Sequence, residues 1–346
     1  MDSDFDPATL SYPFDFRPGD GEAREVLPGL HWVRMPLPMA LRHINTWLLD
    51  DGDGHTVVDT GITGGTTRER WTQVLEVRGG GPLRRVVCTH LHPDHAGSAG
   101  WLVERHGAEF WMTRGEYLTF RLLVADQGEA VRGAAARFYR AAGFDDEALA
   151  RHEGHFGLFA RLVDPLPASF RRLQDGQVLS LGGRRWEVVV GRGHSPEHAC
   201  LYCAEAGVLI SGDQVLPTIS SNVSVYPTEP EANPLAEWLD SLRHLRARLP
   251  ADVLVLPAHG RPFRGIRPRL DALIDDHLEG LDRLRAQLAR PHRAVDVFDA
   301  LFSSRIDEGN RVMATGEAVA HLNYLRFRGE AVRERDGDGV DWYGLA

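Results

Sequence analysis

Six consecutive residues, His90-Leu91-His92-Pro93-Asp94-His95, constrain this chain more than anything else in it. They directly follow the apolar run Val86-Val87-Cys88, part of a predicted buried strand over 84–89, and they lead into a predicted helix over 95–106 that Gly107 stops. Alternation along an extended segment puts His90 and His92 on one side. The turn begun by Pro93 then swings Asp94 and His95 toward a neighbouring point. Two pairs of ligands aimed at adjacent places predict two metal ions rather than one. Neutral imidazole and carboxylate together suit zinc, with iron and manganese as the alternatives.

Two ions need more ligands than one loop supplies, and three other stretches offer them just beyond an apolar strand. Gly193-His194-Ser195-Pro196-Glu197-His198 follows a strand pattern at 186–190. Ser211-Gly212-Asp213 closes one at 208–211, and Pro257-Ala258-His259-Gly260 follows one at 253–256. Loops at converging sheet ends are where such sites are built. The candidate ligands are therefore His90, His92, Asp94, His95, His194, Asp213 and His259. His198 reads as a packing or hydrogen-bonding residue, and His277 and His321 as structural residues on helical stretches. His152 and His155 fall in a helical region away from the motifs. Cys200 and Cys203 stand three apart on a strand and point to opposite faces, which speaks against a shared metal or redox role.

Around these loops, further strands are predicted at 31–35, 45–49, 56–59, 178–181 and 199–203, with Asp51-Gly52-Asp53-Gly54 as a hairpin turn. Helices are predicted at 66–77, 235–249 and 267–288. Residues up to about 27, rich in Pro, Asp and Gly, are expected to be an irregular lead-in. Between about 113 and 167 strand signals vanish, and segments 116–125 and 129–142 predict a helical insertion. Its Leu118, Phe120, Leu122, Phe138 and Phe156 suit either an apolar lid over the site or a structural or dimer surface. Past Pro291, helical pieces at 295–301, 306–310 and 316–328 precede strands at 331–335 and 340–343, the outline of a winged helix. The expected division is a catalytic domain over 1–290 and a winged-helix-like unit over 291–346.

Composition removes several function classes. All 39 basic residues are arginine, so neither a Schiff-base lysine nor a P-loop lysine can operate. The net charge of −10 speaks against a nucleic-acid partner, and 291–346 carries seven arginines against ten acids where a nucleic-acid-gripping wing would be basic. No stretch approaches the ~18 apolar residues of a membrane span. The opening MDSDFDPATL has neither a basic start nor an apolar run, and three cysteines make no disulfide framework. The expectation is a cytoplasmic protein with no membrane partner, and a homodimer is its candidate assembly.

HLHPDH, GHSPEH, SGD and PAHG, in that order, resemble the metallo-β-lactamase-fold superfamily, especially its glyoxalase II-like and thioesterase-like hydrolases, over about residues 28–288. The resemblance implies an α+β fold, an αββα sandwich with the site at one edge. It assigns His90, His92 and His194 to one metal, Asp94, His95 and His259 to a second, and Asp213 to a bridge between them. Val58-Asp59-Thr60-Gly61 matches the family's first motif, in which the aspartate steadies the metal loop without ligating. Glu197 and Ala258 stand where members commonly have glycine, and neither change removes a ligand. The C-terminal unit resembles the small winged helix behind the catalytic domain of some members. The implied reaction is hydrolysis by a metal-bridging hydroxide, with Asp94 handling its proton and Asn222 and Tyr226 as candidate oxyanion donors. The first-choice substrate is a small-molecule thioester or related acyl ester with an apolar group. A phosphodiesterase or endoribonuclease, and a diiron non-hydrolytic protein, stay open as alternatives.

Overall fold

The computed structural model describes residues 9–39, 41–79, 81–154 and 156–346. The first eight residues of the expected lead-in, Gly80 and His155 lie outside the described residues. Two sheets stack face to face. The first contains seven strands in sequence order: β1 (Ala23–Leu27), β2 (Leu30–Pro36), β3 (His43–Asp51), β4 (Gly54–Val58), β5 (Leu83–Val87), β6 (Glu109–Thr113) and β7 (Arg171–Leu173). β1 to β4 form an antiparallel meander, and β4 to β7 run parallel. The predicted hairpin sits between β3 and β4, where Asp51 pairs with Gly54 and Gly52 takes the positive φ that the turn requires.

Parallel neighbours need crossovers. Helix α1 (Gly65–Val77) links β4 to β5. The short α2 (Pro93–Ala96) and α3 (Ala99–His106) link β5 to β6. The single helix predicted over 95–106 is thus interrupted. Ser98 leaves the helical pattern and hands its backbone N–H to Gly61 and to the Thr60 hydroxyl, fastening the His90–His95 loop to the β4 end. Four helices fill the predicted insertion: α4 (Arg114–Ala125), α5 (Glu129–Ala141), α6 (Asp146–Gly154) and α7 (Leu158–Arg161).

The second sheet runs β12-β11-β10-β9-β8, from β8 (Val178–Leu181), β9 (Arg184–Gly191), β10 (His198–Cys203), β11 (Val208–Gly212) and β12 (Leu254–Pro257). Helix α8 (Pro234–Arg248) makes the parallel crossover from β11 to β12, its first turn capped by the Asn233 side chain. Helix α9 (Ile266–Gln287) follows.

Three apolar layers result. Trp32, Trp47, Val58, Trp186, Leu201, Ile210 and Leu256 fill the space between the sheets. Trp71, Val86, Leu102 and Phe120 lie between the first sheet and its helices. Leu209, Trp238, Leu242, Leu270 and Leu281 lie between the second sheet and its helices. That order of layers is the αββα sandwich of an α+β fold. Burying a side chain of this size contributes about 1.5–3 kcal/mol, so the stacked sheets hold the site edge rigidly. Among the described residues no helix is long and apolar enough to cross a membrane.

The C-terminal segment comprises a single 3-10 turn (Ala294–Asp296), α10 (Phe298–Leu301), α11 (Arg311–Phe327) and a hairpin of β13 (Ala331–Arg335) with β14 (Asp341–Leu345). The helix predicted at 306–310 is a turn instead. Asp307 accepts from the Gly309 N–H and Asn310 from the Asp307 N–H, side-chain bonds that replace the helical ones. The segment shares the apolar layer of α8 and α9 through Val297, Leu301, Leu322 and Tyr343. It also grips the insertion: the Val295 N–H donates to Ala142 O, Arg151 pairs with Glu308 at 2.9 Å, and the Arg311 guanidinium lies over the Phe144 ring.

Three strands went unpredicted. β1 and β7 are short and largely charged or exposed, AREVL and RRL, so pairing with β2 and β6 supplies what their own side chains do not announce. In β6, Phe110 and Met112 alternate inward in only five residues, directly against the start of the insertion.

Candidate metal centre

The four predicted loops meet at one rim of the sandwich. His90 to His95 follow β5, His194 lies between β9 and β10, Asp213 follows β11 and His259 follows β12. All seven predicted ligands come together there, in two groups: His90, His92, His194 and Asp213, and Asp94, His95 and His259. Within each group the ligand atoms lie within 4.8 Å of one another.

In the first group, His90 Nε2 is 2.9 Å from His92 Nδ1 and 3.3 Å from His194 Nε2. In the second, His259 Nε2 is 3.2 Å from Asp94 Oδ2, and His95 Nε2 is 3.8 Å from the same oxygen. Asp213 joins them. Its Oδ2 stands 3.5 Å from His194 Nε2, while Oδ1 stands 3.5 Å from His95 Nε2 and 3.6 Å from His259 Nε2.

The nitrogens facing the centre are held there by bonds on the far side of each ring. His95 Nδ1 donates to Asp59 Oδ2 at 2.8 Å, His194 Nδ1 to the Asn222 carbonyl at 2.7 Å, and His259 Nδ1 to the His43 carbonyl at 3.0 Å. Each of these bonds turns the Nε2 of its ring toward the centre, where it can ligate a cation once it carries no proton. Asp59 also accepts from the Thr89 N–H and hydroxyl, which fixes the start of the motif loop. Its φ of 61° is the left-handed conformation a non-glycine residue seldom adopts.

Charge is arranged to match. Burial alone would push His95 down, but the carboxylates of Asp59, Asp213 and Asp94 outweigh it and hold His95 well above its ordinary value. Burial would push Asp213 up, yet His95 and His259 keep it well below the carboxylate range. Burial and the neighbouring imidazoles drive His90 well down, and burial with His194 takes His92 to about 3. A carboxylate and imidazoles left bare inside a protein are costly without a partner. Among the described residues, His95 Nε2, His259 Nε2 and Asp213 Oδ1 are buried and make only the 3.2–3.8 Å ion-pair contacts given above, with no well-formed hydrogen bond. A divalent cation is the partner such a donor set fits: His90, His92, His194, His95 and His259 through nitrogen, Asp94 and Asp213 through oxygen.

Two supporting residues carried no local sequence signal or only an incomplete one. Glu116, in the first turn of α4, is completely buried and accepts three hydrogen bonds: the Leu91 N–H at 2.9 Å, the Ser195 hydroxyl at 2.6 Å and the Glu197 N–H at 2.7 Å. It thereby clamps the His90 and His194 loops together, and burial pushes it up to about 7. His198, predicted to pack or hydrogen-bond, accepts the Asp213 N–H on Nε2 at 3.0 Å and stacks on His90. A pair of nearby histidines was visible, but not which backbone group the second one holds.

Asn222 and Tyr226 lie in the 216–226 segment after Asp213. The Asn222 amide donates to Glu317 Oε2 at 2.8 Å, and its Oδ1 accepts from Ser224. Its side chain is therefore engaged by α11, and its backbone carbonyl by His194. Tyr226 is nearly half exposed (47 %). Burial of its hydroxyl end, with the carboxylates of Glu116 and Glu317 nearby, pushes it up to about 12, so it is a proton donor at neutral pH.

Residues 39–259 match the family model described as the metallo-beta-lactamase superfamily, and residues 281–346 match a metallo-beta-lactamase-like C-terminal domain. A beta-lactamase domain protein from Burkholderia ambifaria has a crystal structure similar to this one, with 42% sequence identity and a TM-score of 0.91, covering 98% of this chain and 99% of that one. The probable metallo-hydrolase YqjP of Bacillus subtilis is 25% identical, over 85% of this chain and 91% of its own. Two thioesterases are also similar. The atrochrysone carboxyl ACP thioesterase of Aspergillus fumigatus is 24% identical, over 69% of this chain and 58% of its own length. The acyl-coenzyme A thioesterase MBLAC2 of Bos taurus is 27% identical, over 54% of this chain and 63% of its own length.

Proposed function

Because this chain belongs to the metallo-beta-lactamase superfamily of metal-dependent hydrolases, we propose that it is a dinuclear hydrolase of thioesters or related acyl esters bearing an apolar group. The observation that carries the reading is the Asp213 carboxylate, with one oxygen toward His194 and the other toward His95 and His259. A carboxylate turned toward both groups of ligands supports two ions rather than one.

A pair of divalent ions, zinc the first choice, supplies a Lewis acid for the acyl carbonyl and acidifies water at neutral pH. The chain's own groups do the rest. Asp94 is half-buried, and His95 and His259 outweigh its desolvation and hold it below the ordinary carboxylate value, so it stays ionised and can accept the proton of the attacking water. The Tyr226 hydroxyl is the donor available to a developing oxyanion from the 216–226 segment, since the Asn222 amide is already engaged. No serine or cysteine nucleophile is required, and the three cysteines are buried, with burial holding their thiols up.

The thioester class draws support from the two similar thioesterases. It also draws on the insertion, where Leu118, Leu122 and Leu158 stay exposed although α4 anchors the metal loops. Exposed apolar groups on an insertion whose Glu116 reaches the motif loops suit a substrate with an apolar tail.

The test is metal analysis of protein purified without chelators, together with hydrolysis of octanoyl-CoA, bis-nitrophenyl phosphate and single-stranded RNA. Two zinc ions per chain with cleavage of the thioester alone is the expected result. Cleavage of the phosphodiester or RNA with the thioester untouched would overturn the substrate class, and two irons without hydrolysis would overturn the reaction.

A further inference from the structure

We propose that Glu317 of α11 is a positioning residue for the metal centre: it holds Asn222 so that the Asn222 carbonyl orients His194. This rests on the reading of His194 as a metal ligand.

The chain of contacts is continuous. His194 Nδ1 donates to Asn222 O at 2.7 Å, and that bond turns Nε2 toward His90 and Asp213. Asn222 belongs to the 216–226 segment, which has no strand or helix of its own, so no sheet ladder sets its backbone. Contacts with α11 set it instead. Asn222 Nδ2 donates to Glu317 Oε2 at 2.8 Å, the Ser224 hydroxyl bonds Asn222 Oδ1 and reaches Met313 O at 3.3 Å, and the Val225 N–H donates to Gly316 O at 3.0 Å.

The joint is tight. A Cβ at Gly316 would lie 2.7 Å from Ser224 Oγ, 2.8 Å from Ser224 Cβ and 3.0 Å from Val225 O. Only glycine lets the helix approach so closely. Glu317 is also braced from behind. Its carbonyl accepts from His321 Nδ1, and His321 Nε2 faces Nδ1 of His277 on α9 at 3.2 Å.

The residue type argues the same way. Glu317 is buried, and burial pushes its carboxyl up to about 7, so the fold bears a cost that an apolar residue would not impose. The hydrogen bond to Asn222 is what that cost secures. The C-terminal segment thus acts on the metal centre through a single helix turn.

The experiment titrates the metal-free full-length protein with Co2+ alone, following its visible absorption, in wild type, Glu317→Ala, Glu317→Gln and Gly316→Ala. Outer hydrogen-bond partners of metal ligands typically alter affinity about 10–100-fold. Glu317→Ala is therefore expected to weaken Co2+ binding about tenfold and to change the absorption band. Glu317→Gln retains an oxygen acceptor for Asn222 and is expected to restore both to within about twofold. Gly316→Ala raises helix propensity by about 1 kcal/mol, so weaker Co2+ binding by that variant isolates the displaced segment, and it carries the test if Glu317→Ala does not fold. Wild-type affinity and spectrum in Glu317→Ala or Gly316→Ala, or equal damage from alanine and glutamine, would overturn the proposal. Failure of the wild type to bind Co2+ would instead overturn the metal reading itself, and this proposal with it.

Discussion

Replacing Asp59 by asparagine changes one atom at a decisive place. The backbone there is left-handed, a conformation asparagine tolerates as well as aspartate, so the substitution adds no strain of its own. The Oδ1 bond from the Thr89 N–H survives. What changes is Oδ2, 2.8 Å from His95 Nδ1 and 2.9 Å from the Thr89 hydroxyl. With an amide NH2 in that position, two donors face each other, and His95 escapes only by moving its proton to Nε2. That nitrogen is the one aimed at Asp213 and Asp94. The lone pair offered to a cation is then lost until the tautomer is restored. An outer partner of this kind is worth about 10–100-fold in metal affinity, or about 1.4–2.7 kcal/mol. Competition between the protein and a chromophoric chelator for Zn2+ measures it. Thermal unfolding in excess chelator measures separately what the metal-free variant loses with the buried Asp59–His95 pair. Zinc affinity within twofold of wild type would refute the argument that Asp59 sets the His95 tautomer.

Two further outcomes follow from buried groups. Glu116→Ala strands the Leu91 and Glu197 N–H groups, and at about 1–3 kcal/mol each the metal-free protein should lose about 3 kcal/mol in urea unfolding, with thioester hydrolysis falling as the two loops part. His321→Gln should blunt acid sensitivity. Burial takes His321 down to about 4, below the ordinary 6.5, so the unfolded chain gains the proton first. Its contribution is complete above pH 6.5 and is lost as pH falls toward 4, about 3 kcal/mol in all at 1.36 kcal/mol per pH unit. Glu317 shifts the opposite way and is present in both proteins, so it cancels. Urea unfolding of the metal-free proteins at pH 7 and pH 4.5 should show the smaller drop in the variant, and equal drops would refute it.

The candidate ligands were legible because each lies just past an apolar strand, a pattern complete within a dozen residues. The β5-to-His95 stretch and the β12-to-His259 stretch are the clearest cases. The hairpin at Gly52 and the long helices announced themselves by the same local means. What escaped depends on distant partners. Glu116 is an acid in a helix's first turn like many others, and its meaning lies with Leu91, Ser195 and Glu197. Asn222 looked like an oxyanion donor because nothing near it in sequence reveals Glu317. β7 is a strand only because β6 lies alongside it. At 306–310 the side chains of Asp307 and Asn310 take the bonds that a helix would have used.

The candidate metal-holding residues come from both sheets: the motif loop, steadied by Asp59, from the first, and His194, Asp213 and His259 from the second. Asn45 rivets these halves, its amide donating to Pro257 O and Gly260 O on either side of His259. No half of the sandwich owns a complete set of ligands, so a partly assembled chain offers the cation only fragments. On the proposed reading, metal capture is expected late in maturation, in molecules whose two halves have already closed. The rate at which a bound ion escapes into chelator then becomes a clock for how often they come apart.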